Sequence, residues 1–439
     1  VPEIASYKKT QPKHYKLARK ELAFIMRKLG VEPGTYELAE AKTIIDEARN
    51  VFKDSLHRHL SEFDRSLFLK CCVEQHDSLS SEHRTNQARI HQSLKHEVSF
   101  DRANQYSNAS EEFIKSSRNY RYMIECFVSL ESFGTDSVSP EDILVIAGKV
   151  DWLMVLYSAS DVLHNDIDVG GIRIDDDYIP EVFYSTKRQK LEDQFKRHDA
   201  NVSLGENVNN SDKLKVNSQD FLTDVHNAFE VEFGFTFSLM LEVLEGLYKW
   251  TTICTEKKPD FYYISNKYYV VETIAKALKE TNTEAVLSAL EFLTINPMQI
   301  RILTGKDVIE SDVPVWEHNK RAHRYTIRPI IPLDNGDILW GADAASKAHT
   351  IWSNSILDGY LPADLNSKIL DSSIRNIKKS LEKQLEVVAV DIVSRYAYHF
   401  IHGIDFKRRF QKYGFDDVGD YDVLAYWPDK NLWLTIECK

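Results

Sequence analysis

The sequence predicts a mostly α-helical N-terminal region followed by a small α/β domain at the C-terminal end. Three observations predict it. Apolar residues recur at intervals of three and four as far as about Thr294, the period of an amphipathic helix. Alternation with period two appears in Ala322 to Leu333 and again from Leu432 to Cys438, as half-buried strands require. Between these strand segments runs one more helical stripe, Ile374, Ile377, Leu381, Leu385, Val388 and Ile392. At 439 residues the chain is too long for a single core. It divides into a helical region at 1–300 with a break near 200–215, a hairpin-containing connector at 301–365, and the α/β domain at 366–439.

In chain order, helices are predicted from Lys13 to Leu29, Tyr36 to Val98, Ser110 to Ser132, Pro140 to Leu163, Gln219 to Trp250, Lys267 to Lys279 and Thr283 to Thr294. Ser139-Pro140-Glu141-Asp142 supplies a cap, a proline at the first helical position and two acids in the first turn. The Asn-rich stretch from Ala200 to Lys215 reads as a loop, and Asn296-Pro297 closes the helical part. Asp334-Asn335-Gly336-Asp337 turns the strand ending at Leu333 into a second one, a hairpin. A helix from Lys378 to Phe400 then leads to the last hairpin, Asp420 to Trp427 and Leu432 to Cys438.

That last hairpin carries the chemistry. Pro428-Asp429-Lys430-Asn431 suits a four-residue loop on a type I turn, with Pro fixing φ at its first position and Asn tolerating the left-handed region at its last. Such a loop pairs residues whose numbers sum to 859, setting Asp422 opposite Glu437 and Asp420 opposite Lys439. Alternation then puts Asp420, Asp422, Glu437 and Lys439 on one face, with Leu434, Ile436 and Cys438 turned to a core. Opposed carboxylates repel. A divalent cation offsets that repulsion, and two hard oxygen donors suit Mg²⁺ or Mn²⁺, which can generate hydroxide and neutralise a phosphate. Lys439 stands about 7 Å along the strand from Glu437, within reach of an attacking water.

Asp422 followed by Glu437-Cys438-Lys439 resembles the PD-(D/E)XK phosphodiesterase superfamily, the restriction-endonuclease-like fold, over roughly the last 75 residues. The resemblance implies a mixed sheet flanked by helices. It also implies metal binding by Asp422, Glu437 and the Cys438 carbonyl, with Lys439 as the catalytic lysine. A further acid is expected on the preceding helix. Glu386 is the first choice because it interrupts an apolar row continued by Val390, Val393 and Ala397, and Glu382 is the second. The bland alternative pairs either Glu with Lys378, Lys379 or Lys383 at helical spacing. The superfamily core continues past the Glu-x-Lys strand, so the expectation is a longer polypeptide than the residues given.

Charge supports a nucleic-acid partner, and DNA is favoured over RNA. The net charge is −12, but from Lys368 to Lys412 there are ten Lys and Arg against five acids. Lys407, Arg408, Arg409 and Lys412 are the expected phosphate contacts. No apolar run of membrane-spanning length exists, so no membrane partner is expected. Five cysteines without CxxC pairs fit a reducing cytoplasm. Other tempting features carry little. Thr304-Gly305-Lys306 lacks the remainder of a phosphate loop. Cys71, Cys72, His76 and His83 spread around a helix instead of grouping as zinc ligands. Asp175-Asp176-Asp177 reads as a solvated turn. The expected function is a metal-dependent nuclease whose helical region binds a protein partner, regulates access or mediates assembly, with a homodimer plausible for cutting two strands. By architecture alone it fits a prokaryotic antiphage or mobile-element defence effector. The competing class is a noncatalytic helical scaffold with a degenerate nuclease fold.

Overall fold

A computed structural model describes residues 8–94, 100–165, 168–184, 218–253, 261–304, 324–357, 359–361, 365, 367–405, 408, 412 and 420–436. The molecule is mostly helical, with small three-stranded antiparallel sheets. Contacts divide it into two compact units. One comprises Val1–Asn210, Phe233–Trp352 and Pro362–Asp364; the other comprises Ser211–Glu232, Ser353–Leu361 and Leu365–Lys439.

The first unit opens with α1 (Pro12–Lys28), β1 (Gly34–Glu37), α2 (Leu38–Leu60), α3 (Arg65–Leu94), α4 (Phe100–Ser129) and α5 (Pro140–Asn165). β2 (Val169–Ile174) and β3 (Pro180–Tyr184) complete a sheet with β1. The helix expected to run unbroken from Tyr36 breaks after Leu60. There Asp136 bonds the Glu62 carbonyl and the Asp64 amide, and the Asp64 carboxylate caps the Leu67 amide at 2.9 Å. Gly134 permits this crossing, because a Cβ on it would lie 1.9 Å from the Glu62 carbonyl oxygen. α5 is apolar all round and 72% of its most apolar window is buried, as a helix at the centre of a core must be. Asp175, in the acidic run read as a turn, accepts the Asp177 and Ile179 amides between β2 and β3.

The predicted helix from Gln219 to Trp250 is likewise two, α6 (Ser218–Phe233) and α7 (Phe237–Tyr248), with α8 (Trp250–Ile253) following. Gly234 adopts φ 79°, and Thr236 Oγ1 caps the Leu239 amide. Neither signal is periodic, so an apolar stripe running through both helices hid them. β4 (Tyr263–Asn266), α9 (Lys267–Leu278), α10 (Thr283–Phe292) and α11 (Pro297–Thr304) come next, then β5 (Ile330–Pro332), β6 (Asp337–Trp340) and α12 (Ala342–Leu357). The β5–β6 hairpin is not a separate connector. It pairs with β4 in the order β4-β6-β5, and fully buried Trp340 packs on Trp250 and Tyr263. The stretch from Arg324 to Arg328, expected as strand, is a tight turn with Arg328 N bonded to Arg324 O at 2.9 Å.

The second unit contains α13 (Lys368–Tyr396) packed on an antiparallel sheet of order β7-β8-β9, with β7 at His399–Asp405, β8 at Asp420–Trp427 and β9 at Leu432–Ile436. A parallel strand, which a mixed sheet needs, is not among the described residues. α13 buries Leu370, Ile374 and Ile377 in its first half and Val393 in its second. Ala389, Val390 and Ala397 pack with Val393 against Val423 and Ala425. At 100° per residue these two groups lie roughly 150° apart around the helix. The predicted stripe therefore fails at its C-terminal end, where Val388 and Ile392 are exposed.

Candidate functional site

The terminal hairpin has the register read from its turn. Its described pairs run from Trp427 with Leu432 to Val423 with Ile436, every pair summing to 859. The Lys430 amide bonds the Trp427 carbonyl at 3.2 Å, and Asn431 takes φ 45°, the left-handed position expected of it. Val423 and Ala425 are fully buried against α13, and Trp427 Nε1 donates to the Tyr396 carbonyl at 2.8 Å. Leu434 alternates to that same side but stays 44% exposed. α13 packs over β7 and β8, so the outer strand lacks cover there.

Strand alternation turns Asp422, Leu424, Tyr426, Trp433 and Thr435 to the face away from α13. Asp422 is half-buried on that face. Its predicted partners Glu437, Cys438 and Lys439 lie outside the described residues, as do Lys407 and Arg409. The β7–β8 ladder aligns Asp405 with Asp420, so a third strand brings an acid to the end where Asp420 and Asp422 stand. Asp405 is one of the five acids between Lys368 and Lys412, and its spacing from the terminal hairpin gives no sign of this alignment. Its Oδ1 accepts the Arg408 amide at 2.9 Å, which fixes the backbone of that basic residue beside the acids. Arg408 and Lys412 are exposed.

Glu386 lies elsewhere. It is half-buried, and its Oε2 sits 3.4 Å from His402 Nε2. His402 pairs with Val423, so it occupies the α13 side of the sheet. The row that drew attention to Glu386 is indeed the sheet-facing one, yet this same packing sets it across the sheet from Asp422. Glu382, one turn earlier, is half-buried as well.

A second concentration of polar groups, in the first unit, escaped the sequence reading. His76 and Asp77 on α3 are buried side by side, with Nδ1 and Oδ1 3.3 Å apart, and His76 Nε2 lies 3.3 Å from Ser117 Oγ. Asp77 Oδ2 accepts the Asp343 amide at 2.6 Å and the Ala344 amide at 3.4 Å, closing the N-terminus of α12. Gly341 makes room for it, since a Cβ there would meet the Asp77 carboxylate at 2.3 Å. Asp343 in turn pairs with Arg84, while its buried Oδ2 has no partner among the described residues.

Burial dominates the electrostatics of this cluster. It pushes the Asp77 carboxyl up to about 7 against the pull of two backbone N–H donors. Burial and the neighbouring Asp77 raise Asp343 to about 6. His76 is driven down to about 3 by burial and by the charges of Lys347 and Arg121, so its imidazole is neutral. The Lys347 ammonium is lowered to about 8 by burial, Arg121 and Arg324. These residues come from four separated segments, so no spacing announces them. Cys71, Cys72, His76 and His83 do not converge, and among the described residues no group of three His, Cys, Asp or Glu is placed to hold a metal. No family model, curated protein or solved structure matches the chain.

Proposed function

We propose that the protein is a metal-dependent phosphodiesterase acting on nucleic acid, DNA above RNA, with the second unit folded as a restriction-endonuclease-like domain. The observation that carries the reading is the unslipped β8–β9 ladder. The described pairs end at Val423 with Ile436, and the same register continued by one pair would set Asp422 opposite Glu437. The donor set would then be all oxygen, two carboxylates and the Cys438 carbonyl, which fits Mg²⁺ or Mn²⁺. Bound there, the cation supplies Lewis-acid polarisation of the phosphate and a water of lowered pKa. Lys439, two residues along the chain from Glu437, would be the group placed to orient an attacking water, and the exposed Arg408 and Lys412 would contact the phosphate backbone. Glu386 acts in this reading only at a distance, through its contact with His402 on β7, the strand beside β8. An antiphage or mobile-element defence role for the helical region, with a protein partner or a second copy, accompanies this reading.

Plasmid incubated with the full-length protein and Mg²⁺ or Mn²⁺ tests it. Asp422→Ala and Glu437→Ala are each expected to reduce cleavage by at least about a hundredfold, with Glu386→Gln affected far less. Cleavage that survives both carboxylate substitutions removes the assignment. A noncatalytic assembly role is the second reading, favoured by the exposed apolar side chains Val387, Val388 and Ile392 of α13. It gains if no form cleaves when metal and partners are supplied.

A further inference from the structure

Away from the acidic sheet face, positive charge concentrates along α1. At about 100° per residue, Lys13, Lys16, Lys20, Phe24, Arg27 and Lys28 fall within an arc of about 120°, and every one of them is exposed. Leu17 lies on the same arc. The opposite arc buries His14, Ala18, Leu22, Ile25 and Met26, so core packing fixes which face looks outward. The chain carries a net charge of −12, yet this stripe holds five cations and no acid. Glu21, the only acid of the helix, accepts Ser55 Oγ at 2.5 Å and pairs with Lys149 at 2.8 Å. Lys13 pairs with Glu141 at 2.6 Å, and the Arg27 guanidinium lies 4.7 Å from the centroid of the Tyr178 ring. Lys16, Lys20 and Lys28 make no ion pair among the described residues. Phe24 stands among these cations with 64% of its surface exposed.

The helix dipole accounts for Arg27 and Lys28 in the last turn, where cations are favoured. It does not account for Lys16 and Lys20, which stand four residues apart and repel. We infer that this face of α1 binds single-stranded nucleic acid, with the cations along its backbone and Phe24 stacked on a base. A line of cations about 22 Å long from Lys13 to Lys28 matches a row of phosphates, and each phosphate neutralised releases counterions. The ring of Phe24, between Lys20 and Arg27, suits a single strand because unpaired bases offer their faces to stacking and paired bases do not. A bilayer fits less well. The apolar face of α1 is spent on the core, and Leu17 and Phe24 among five cations leave little apolar area to insert. The proposal rests on the reading that nucleic acid is the partner of this protein, and not on its hydrolysis.

Fluorescence anisotropy of a labelled oligodeoxythymidylate, with the full chain in EDTA so that metal-dependent cleavage is stopped, tests it. Wild type is expected to bind, with log Kd rising linearly with log salt concentration. The double variant Lys16→Gln, Lys20→Gln should weaken binding at least about tenfold at low salt and reduce the salt slope by about 1.4, two contacts at about 0.7 each for a single strand. Phe24→Ala should weaken single-strand binding at least about fivefold and leave binding of the matching duplex unchanged. Lys276→Gln, exposed on α9 and off the stripe, should bind like wild type. All four side chains are exposed, so coincident thermal melting of every variant is expected and excludes misfolding as the cause. Weakened binding by the α1 variants, with no cleavage by any form once metal is supplied, keeps the site and removes hydrolysis. Asp422-dependent cleavage with unaltered binding by the α1 variants does the reverse. Binding absent from wild type overturns the site, as does a Phe24→Ala loss shared by the duplex, or α1-dependent sedimentation with phosphatidylserine vesicles in place of oligonucleotide binding.

Discussion

Asp77 shows how one buried carboxyl links helix formation to pH. Its folded value near 7 lies above the ordinary 3.8, so the fold binds this proton more tightly than the unfolded chain does. Stability from Asp77 is therefore complete below about pH 4 and lost as pH rises through 7. Asp343 acts in the same direction up to about 6. His76, held down to about 3, works in reverse, favouring the fold above about 6.5 and losing that as pH falls toward 3. Asp77→Asn keeps an acceptor for the Asp343 amide but cannot ionise. Wild type should lose stability relative to Asp77→Asn between about pH 5 and pH 7, by up to about 1.4 kcal/mol per pH unit. Urea denaturation of both proteins at the two ends of that range measures it, and parallel profiles would mean Asp77 stays charged against α12. None of this was legible in the sequence, where His76-Asp77 is an ordinary pair of polar residues on a helix.

At the scale of elements, α13 decides how the second unit is built. Periodicity favoured the stripe through Leu385, Val388 and Ile392, whereas the sheet is covered by Ala389, Val390, Val393 and Ala397. Both sets satisfy helical spacing, and only docking on β7 and β8 selects between them. The choice has a measurable consequence. Val393→Ala opens a cavity in a small core and should cost about 2 kcal/mol, while Ile392→Ala, next to it but 51% exposed, should change stability by less than about 0.5 kcal/mol. Chemical denaturation of the two variants checks this, and the opposite order would mean that the helix is rotated. The terminal hairpin is the contrasting case. A four-residue turn with Pro first and Asn last is a local constraint, so its register was readable before any packing was known.

Across the whole molecule, sequence order and structural units part company. The second unit draws on Ser211–Glu232 and Ser353–Leu361 as well as Leu365–Lys439, while among the described residues its sheet and the helix end over it bury only Val393, Ile404, Val423 and Ala425. A fragment of residues 366–439 expressed alone is therefore expected to lack cooperative unfolding, since so small a core offsets little chain entropy. Circular dichroism with thermal melting tests this; a sharp transition would show that the last 74 residues are self-sufficient.

The sequence by itself determined the helical character, the places of most helices and the register of the described hairpin pairs, because each depends on neighbours within a few positions. Tertiary structure alone decided the union of β5–β6 with β4, the side of the sheet on which Glu386 lies, and the assembly of His76, Asp77 and Asp343. Those outcomes rest on burial and on contacts between residues up to hundreds of positions apart. Local periodicity is blind to both.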